Sequence, residues 1–127
     1  MGFAVTATSH TLGEYRARGG YQALERALLG MKPEEVTGEI TASGLQGRGG
    51  AAFPVGRKWS VIRPDDGETH YLCANADEGE PGTFKDRWIL ENNPHVLLES
   101  MLISSYALNV RNCFVYIRGE FDLPYRR

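Results

Sequence analysis

Apolar residues at helical spacing dominate the first third of the chain. Leu24, Ala27 and Leu28 lie three to four positions apart, which predicts a short helix ending near Gly30. Pro33 then occupies a position typical of a first helical turn, and acidic residues follow it. We therefore expect residues 1–43 to form an N-terminal helical segment.

The second half has the pattern of a β-α-β unit. Residues 70–74 form a strand candidate, residues 94–109 an apolar helix, and residues 113–117 a continuous apolar strand. This order predicts parallel pairing with a right-handed crossover, and a strand 113–117 that is buried on both faces. The expected fold class is α/β, with an incomplete Rossmann-like parallel sheet over residues 70–117. Residues 44–127 would then be the first part of a cofactor-binding α/β domain.

Composition narrows the function classes. The 127 residues carry 14 basic and 16 acidic side chains, a net charge of −2, which does not favour nucleic-acid partners. The apolar segments are too short to insert into a membrane, so a cytoplasmic chain is expected. Cys73 and Cys113 are too few for a four-ligand metal site, and we expect Cys73 to be buried in its strand. His95, at a helix start, is expected to be a packing or capping residue.

Glycine is enriched, with 15 residues in all, five of them within 44–56. The run from Gly47 to Ala52 satisfies the loose dinucleotide fingerprint G-x-G-x-x-A, but a helix rather than a strand precedes it, so we reject that assignment. Glycines still allow backbone N–H groups to approach an anion, and the adjacent helix start with Arg48, Arg57 and Lys58 adds positive potential. The loop therefore indicates either a phosphate-bearing ligand or a tight turn with solvated basic residues.

A second loop concentrates carboxylates directly after the first strand. Asp77, Glu78 and Glu80 follow it, at the end of the strand where open parallel sheets bind ligands. Such carboxylates could bind a metal, act as acid and base, or accept hydrogen bonds from hydroxyl and ring N–H groups. The alternative is a solvated acidic turn paired with Lys85, Arg87 and Arg57.

Taken together, the two loops resemble a known family. Four segments of the chain are similar to parts of the NADH-oxidising flavoprotein subunit of respiratory complex I. They are GLQGRGGAAFPVGRKW (44–59), NADEGEPGTFKDR (75–87), NPHVLLESM (93–101) and YIRGE (116–120). The related diaphorase subunits of NAD-dependent formate dehydrogenases and NAD-reducing hydrogenases share them. The resemblance covers about residues 21–121 and corresponds to the first part of a longer family member.

The resemblance implies an enzyme that binds FMN without a covalent bond, accepts a hydride from NADH and releases electrons singly through a 4Fe-4S cluster. Orientation and stacking carry this chemistry, so no catalytic proton-transfer residue and no metal ligand is assigned. The residues implied in cofactor binding fall into three groups. Those expected at the FMN phosphate side are Gly47, Arg48, Gly49, Gly50 and Lys58. Those expected at the flavin ring and ribityl chain are Asn75, Asp77 and Glu78, with Gly79 beside them. Those expected to face NADH are Phe53, Lys58 and Glu80.

The chain also departs from the family pattern. Ala52 stands where the family usually has glycine, and Val61 where it usually has an aromatic residue. The cluster ligands of the family lie further along, so this chain alone is expected to be incomplete and inactive. Its expected partners are NADH and the other subunits, including an iron–sulfur subunit, through which it could lie on the inner face of a membrane. The alternatives are a non-catalytic remnant or assembly module docking onto another subunit and, less favoured, a metal-dependent phosphohydrolase.

Overall fold

A computed structural model describes residues 4–62 and 67–127. Within them, helices and strands follow one another as α1 Leu12–Ala17, α2 Gln22–Gly30, α3 Pro33–Ala42, α4 Val55–Trp59, β1 Tyr71–Ala76, α5 Lys85–Asn92, α6 Pro94–Ala107, β2 Asn112–Ile117 and α7 Asp122–Arg126.

The two strands form a parallel pair, which confirms the α/β class. Tyr71 pairs with Asn112 at one end of the register and Ala76 with Ile117 at the other. The carboxyl ends of both strands therefore meet at one edge, and α5 and α6 form the connection between them. Strand β1 is longer than predicted, because Asn75 and Ala76 continue the pairing. The boundary proposed between residues 43 and 44 stays a prediction.

Two apolar clusters hold these elements together. The first joins Ala27 and Val36 of the N-terminal helices to Ala107 and Leu108 at the end of α6, and Trp59 packs against it. Trp59 is thus part of the core. The second cluster contains Ala76, Leu90 and Phe121, with Leu97 and Ile117 packed beside them. It lies directly beneath the edge where both strands end.

The predicted burial of β2 on both faces is wrong. Phe114 is 56% exposed and Tyr116 59% exposed, and Val115 between them is also exposed. In the part of the chain that the structure describes, β2 has one strand neighbour only, so too little structure covers its side chains. Cys73 is likewise exposed rather than buried. The apolar helix α6 also leaves one large side chain, Leu102, half exposed.

A buried polar cluster fastens the N-terminus to α6. Glu99 is 7% exposed, and its carboxylate accepts hydrogen bonds from the Tyr15 hydroxyl, from the Tyr21 N–H at 3.0 Å and from the Leu24 N–H at 3.1 Å. The Tyr21 hydroxyl lies 2.8 Å from Nδ1 of His95, which confirms a packing role for this histidine. Burial and the neighbouring carboxylate raise the pKa of Tyr15. We call these four side chains, Tyr15, Tyr21, His95 and Glu99, the closed polar cluster.

Candidate functional site

The glycine-rich segment forms a loop closed at its base by backbone hydrogen bonds. The Gly47 N–H donates to the Phe53 carbonyl at 2.9 Å, and the Val55 N–H donates to the Leu45 carbonyl at 2.8 Å. Residues 48–52 therefore project as a tip from a short antiparallel bridge. We call residues 44–54 the glycine loop.

The glycines of this segment have different physical roles. A Cβ added at Gly49 or Gly50 would meet no atom within 4 Å, so the tip of the loop is open to a ligand. Gly50 has a φ of +106°, a backbone conformation that other residues rarely adopt. Ala52 nevertheless has a φ of +49°, in the left-handed region, at the position where the resembled family usually has glycine. The turn therefore keeps the backbone conformation that favours glycine.

Gly56 is required for packing rather than for a ligand. A Cβ at this position would lie 2.3 Å from Oγ1 and 2.6 Å from Cα of Thr41, because α4 crosses α3 in direct backbone contact. Gly56 is buried, and it supports the loop from below.

Three basic residues belong to the loop or to helix α4 directly after it. Arg48 and Lys58 are exposed, and among the described residues neither makes a side-chain hydrogen bond or an ion pair. The Arg57 guanidinium lies over the ring of Phe53, 5.9 Å from its centre, and Phe53 itself is 48% exposed. Since α4 has only five residues, its dipole adds little, and the positive potential comes from these side chains. The predicted contribution of a helix start is therefore small.

Of the three predicted carboxylates after β1, one accepts hydrogen bonds within the chain and two are exposed. The Glu78 carboxylate accepts hydrogen bonds from the N–H groups of Asp86 at 3.0 Å and Arg87 at 3.2 Å, and so caps α5. Its desolvation would raise its pKa, but these backbone N–H groups and Lys85 lower it overall. Asp77 and Glu80 are exposed. We call residues 77–84 the acidic loop.

Residues before and within the acidic loop shape its course. Oδ1 of Asn75 accepts the Asp77 N–H at 3.0 Å, which turns the chain as β1 ends. The Glu80 carbonyl accepts both the hydroxyl of Thr83 at 2.7 Å and its N–H at 3.2 Å. The side-chain oxygen of Asn75 is therefore already bonded within the chain, and its amide N–H₂ group remains as a donor.

Arg118, to which the sequence assigned no role, reaches the acidic loop from the end of β2. Its Nη1 donates to the Glu78 carbonyl at 3.0 Å, and its Nε lies 2.5 Å from Glu120 Oε1. The register supplies the signal that could have found it, because Arg118 follows Ile117, the partner of Ala76. Residues that directly follow paired strand ends lie at one edge of a parallel sheet.

The structure does not tie the two loops to each other. Within residues 4–62 and 67–127, no hydrogen bond or ion pair joins the glycine loop to the acidic loop, so each presents its groups separately. The same residues contain no group of three or more His, Cys, Asp or Glu side chains that could hold a metal ion.

An exposed glycine-rich loop with basic residues, and polar groups at the carboxyl edge of a parallel strand pair, characterise this α/β chain. The family model described as the Nuo51 FMN-binding domain matches residues 40–126, a span that contains both loops. The chain belongs to this family, which confirms the resemblance.

Known relatives agree with this assignment, and the three given below are all F subunits of NADH-quinone oxidoreductase. The chain is 51% identical over 118 residues to the F 2 subunit of Rhizobium meliloti (strain 1021), covering 93% of this chain and 28% of the relative. It is 51% identical over 116 residues to the F subunit of Aquifex aeolicus (strain VF5), covering 91% of this chain and 27% of the relative. It is 46% identical over 111 residues to the F subunit of Escherichia coli (strain K12), covering 87% of this chain and 25% of the relative. The chain thus spans about a quarter of the length of these curated relatives.

Solved structures show the same fold. The NAD⁺-reducing [NiFe]-hydrogenase in the H₂-reduced state matches with a TM-score of 0.76 and 34% identity, covering 84% of this chain and 19% of the other. Its air-oxidized state matches with a TM-score of 0.70 and 38% identity, covering 75% of this chain and 17% of the other.

None of the helices in the described part of the chain is long and apolar enough to cross a membrane.

Proposed function

We propose that this chain supplies the FMN-binding part of an NADH-oxidising flavoprotein subunit. The observation that carries the proposal is the match of the FMN-binding domain family to residues 40–126, which include both loops. The relatives, which are F subunits of NADH-quinone oxidoreductase, support NADH as the electron donor.

The glycine loop fits the phosphate of FMN. The open space above Gly49 and Gly50 lets an anion approach the backbone, and Arg48 within the loop and Lys58 in α4 are exposed cations. Guanidinium and ammonium groups form the stronger, charge-assisted hydrogen bonds with phosphate oxygens. We assign phosphate binding to Gly49, Gly50, Arg48 and Lys58, whereas Gly47 closes the base of the loop, since its N–H donates to the Phe53 carbonyl.

The acidic loop fits the hydroxyl and ring N–H groups of the flavin. Asp77 is exposed and is the carboxylate best placed to accept hydrogen bonds there, while Glu78 keeps α5 in position and has spare acceptor capacity. Asn75 retains its amide N–H₂ as a donor. Gly79 places no side chain in the way of a ligand.

The remaining assigned residues would orient NADH. Phe53 and Glu80 are exposed, so the ring can stack on a base and the carboxylate can accept hydrogen bonds from a nucleotide. When bound, FMN supplies the chemistry, since it accepts a hydride and releases electrons one at a time. The protein residues bind and orient, and none of them needs to move a proton.

Flavin titration tests this proposal. FMN binding to the purified chain is measured by equilibrium dialysis and fluorescence quenching, for the original chain, Arg48→Met and Asp77→Asn. We expect Arg48→Met to weaken binding about tenfold through loss of a charge-assisted bond, and Asp77→Asn to weaken it less. Arg26→Met and Asp122→Asn are the matched controls, since both side chains are exposed and lie on helices that carry none of the assigned residues. FMN affinity that is absent in the original chain, or unchanged in Arg48→Met, would contradict the proposal.

A second candidate function is an assembly module that docks onto another subunit, such as an iron–sulfur subunit on the cytoplasmic face of a membrane. The exposure of Tyr71, Phe114 and Tyr116 on neighbouring strands favours it. Sedimentation measures whether a complex forms when the chain is mixed with such a subunit. The chain alone is measured for comparison, and both measurements are repeated with Phe114→Ser. The module interpretation requires a complex that Phe114→Ser weakens, and it fails if the chain stays monomeric in both mixtures.

A further inference from the structure

The acidic loop is held to the rest of the molecule at one residue. Glu78 uses its carboxylate to cap α5 and its carbonyl to accept a hydrogen bond from Arg118. Among the described residues, Arg118 makes the only hydrogen bond to residues 77–84 from a position more than ten residues away in sequence. The other bonds of this loop are local.

Arg118 is itself held in a defined orientation. It directly follows β2, its Nη1 reaches the Glu78 carbonyl at 3.0 Å, and its Nε pairs with Glu120 at 2.5 Å. A guanidinium carries several donors in a fixed planar arrangement, so one group can satisfy both acceptors at once, which an ammonium does less well. Its side chain is one-third exposed, so the charge-assisted bond is partly shielded from water.

Close packing supports the same contact. A Cβ built on Gly79 would lie 3.3 Å from Arg118 Nη1, so the guanidinium rests against the backbone of the next residue. Arg118 thus touches two consecutive residues of the acidic loop, between Asp77 and Glu80.

We infer that Arg118 is a positioning residue for the flavin site, which fixes the Glu78–Gly79 backbone so that Asp77 and Glu80 face the ligand. This inference rests on the proposed function. Arg118 acts through the loop, by its contacts with Glu78 and Gly79.

Two measurements test this inference on the purified chain. Hydrogen exchange of the Glu78 and Thr83 amides, which donate to the Ala76 carbonyl at 3.0 Å and to the Glu80 carbonyl at 3.2 Å, reports the position of the loop without any ligand, and equilibrium dialysis reports FMN affinity. In Arg118→Met we expect amide exchange in this segment to accelerate about tenfold, and FMN affinity to fall about tenfold, as loss of one charged hydrogen bond predicts. Amide exchange in α6 should not change. Arg118→Lys should recover part of both effects.

The matched control is Arg126→Met, which removes the same charge from an exposed pair with Asp122 at 3.2 Å. It should leave both measurements within about twofold of the original chain. If Arg118→Met does not fold, Arg118→Lys and Glu120→Gln provide the test, since each retains a cation at position 118. In that case Arg118→Lys must accelerate loop exchange more than Glu120→Gln does.

Loop exchange that is the same in Arg118→Met and the original chain overturns the inference. So does accelerated exchange with unchanged FMN affinity. If the original chain binds no FMN, the proposed function fails first, and the exchange data still decide whether Arg118 holds the loop.

Discussion

Glu99 and Glu78 each cap the start of a helix, and they do so in opposite surroundings. Glu99 lies in the closed polar cluster and accepts hydrogen bonds from α2 and from Tyr15, 75 to 84 positions away in sequence. Glu78 lies at the start of the acidic loop and caps α5, eight and nine positions away. Glu99 is buried, whereas Glu78 is partly exposed.

The difference shows how burial separates a structural carboxylate from one in a binding loop. Burial would raise the pKa of Glu99, but the Tyr15 hydroxyl and three backbone N–H groups outweigh it and lower the pKa. Its hydrogen bonds from Tyr15, Tyr21 and Leu24 all lie within the protein. Around Glu78 the same capping bonds leave the neighbouring Asp77 and Glu80 open. The open region can therefore bind a ligand, and the closed one stabilises the fold.

The largest expected effect is in the closed polar cluster. Glu99→Gln should lower the free energy of unfolding by about 3 kcal/mol, because it removes a charge whose buried donors are then poorly satisfied. Urea denaturation followed by circular dichroism measures it. Glu39→Gln, which breaks an exposed pair with Arg26, is the control and should cost about 0.5 kcal/mol or less. Equal effects of the two substitutions would remove the distinction between buried and exposed carboxylates.

The framework below the glycine loop can be tested with a pair of glycines. Gly56→Ala should lower the free energy of unfolding by about 2 kcal/mol, since its Cβ would overlap Thr41. Gly38→Ala is the matched control within α3, where a Cβ meets nothing within 4 Å, and it should raise the free energy of unfolding by about 0.5–1 kcal/mol. Thermal or urea unfolding compares them. A Gly56→Ala protein as stable as the original would show that α3 and α4 do not pack this closely.

The pH dependence of stability sharpens the contrast between the carboxylates. The pKa of Glu99 is lower in the folded state, so the stability it contributes is full above its unfolded pKa of about 4.3 and is lost as the pH falls through its folded pKa. The difference in unfolding free energy between the original chain and Glu99→Gln should therefore shrink between about pH 6 and pH 3. Urea midpoints across this range measure it. A difference that grows on acidification would have the wrong sign.

A smaller effect is expected at the partly exposed cap. Glu78→Gln should lower the free energy of unfolding by about 1 kcal/mol, the usual value for losing a capping side chain. Amide exchange at Asp86 and Arg87, the two donors, should accelerate. Asp77→Asn is the control and should change stability by less than about 0.5 kcal/mol. A loss at Glu78 as large as that at Glu99 would mean that burial does not separate the two sites.

The smallest effect concerns the glycine loop. Ala52→Gly should raise the free energy of unfolding by about 0.5 kcal/mol, because it relieves a left-handed backbone conformation while increasing the freedom of the unfolded chain. Thermal unfolding measures this against Ala51→Gly, which should be destabilising or neutral. Destabilisation by Ala52→Gly would indicate that this φ value is not maintained in solution.

Local patterns predicted most of the secondary structure, and their failures have physical reasons. Helical spacing around Ala27, the proline at position 33 and the apolar run after Pro94 identified α2, α3 and α6. Helix α5 was missed because its eight residues are mostly polar and it is held by Leu90 in the core and by the Glu78 cap. Helix α1 was missed because its anchor, the bond from Tyr15 to Glu99, spans 84 positions.

By itself, the sequence determined the α/β class, the order of strand, helix and strand, and the two loops whose resemblance to a known family implies an FMN site. These depend on neighbouring residues, whose spacing is visible along the chain. Only the tertiary structure decided that Gly56 is needed for helix packing, that Glu99 is locked while Asp77 stays open, and that Arg118 reaches Glu78. Each of these depends on contacts between residues distant in sequence, and no local pattern encodes which distant donor meets which acceptor.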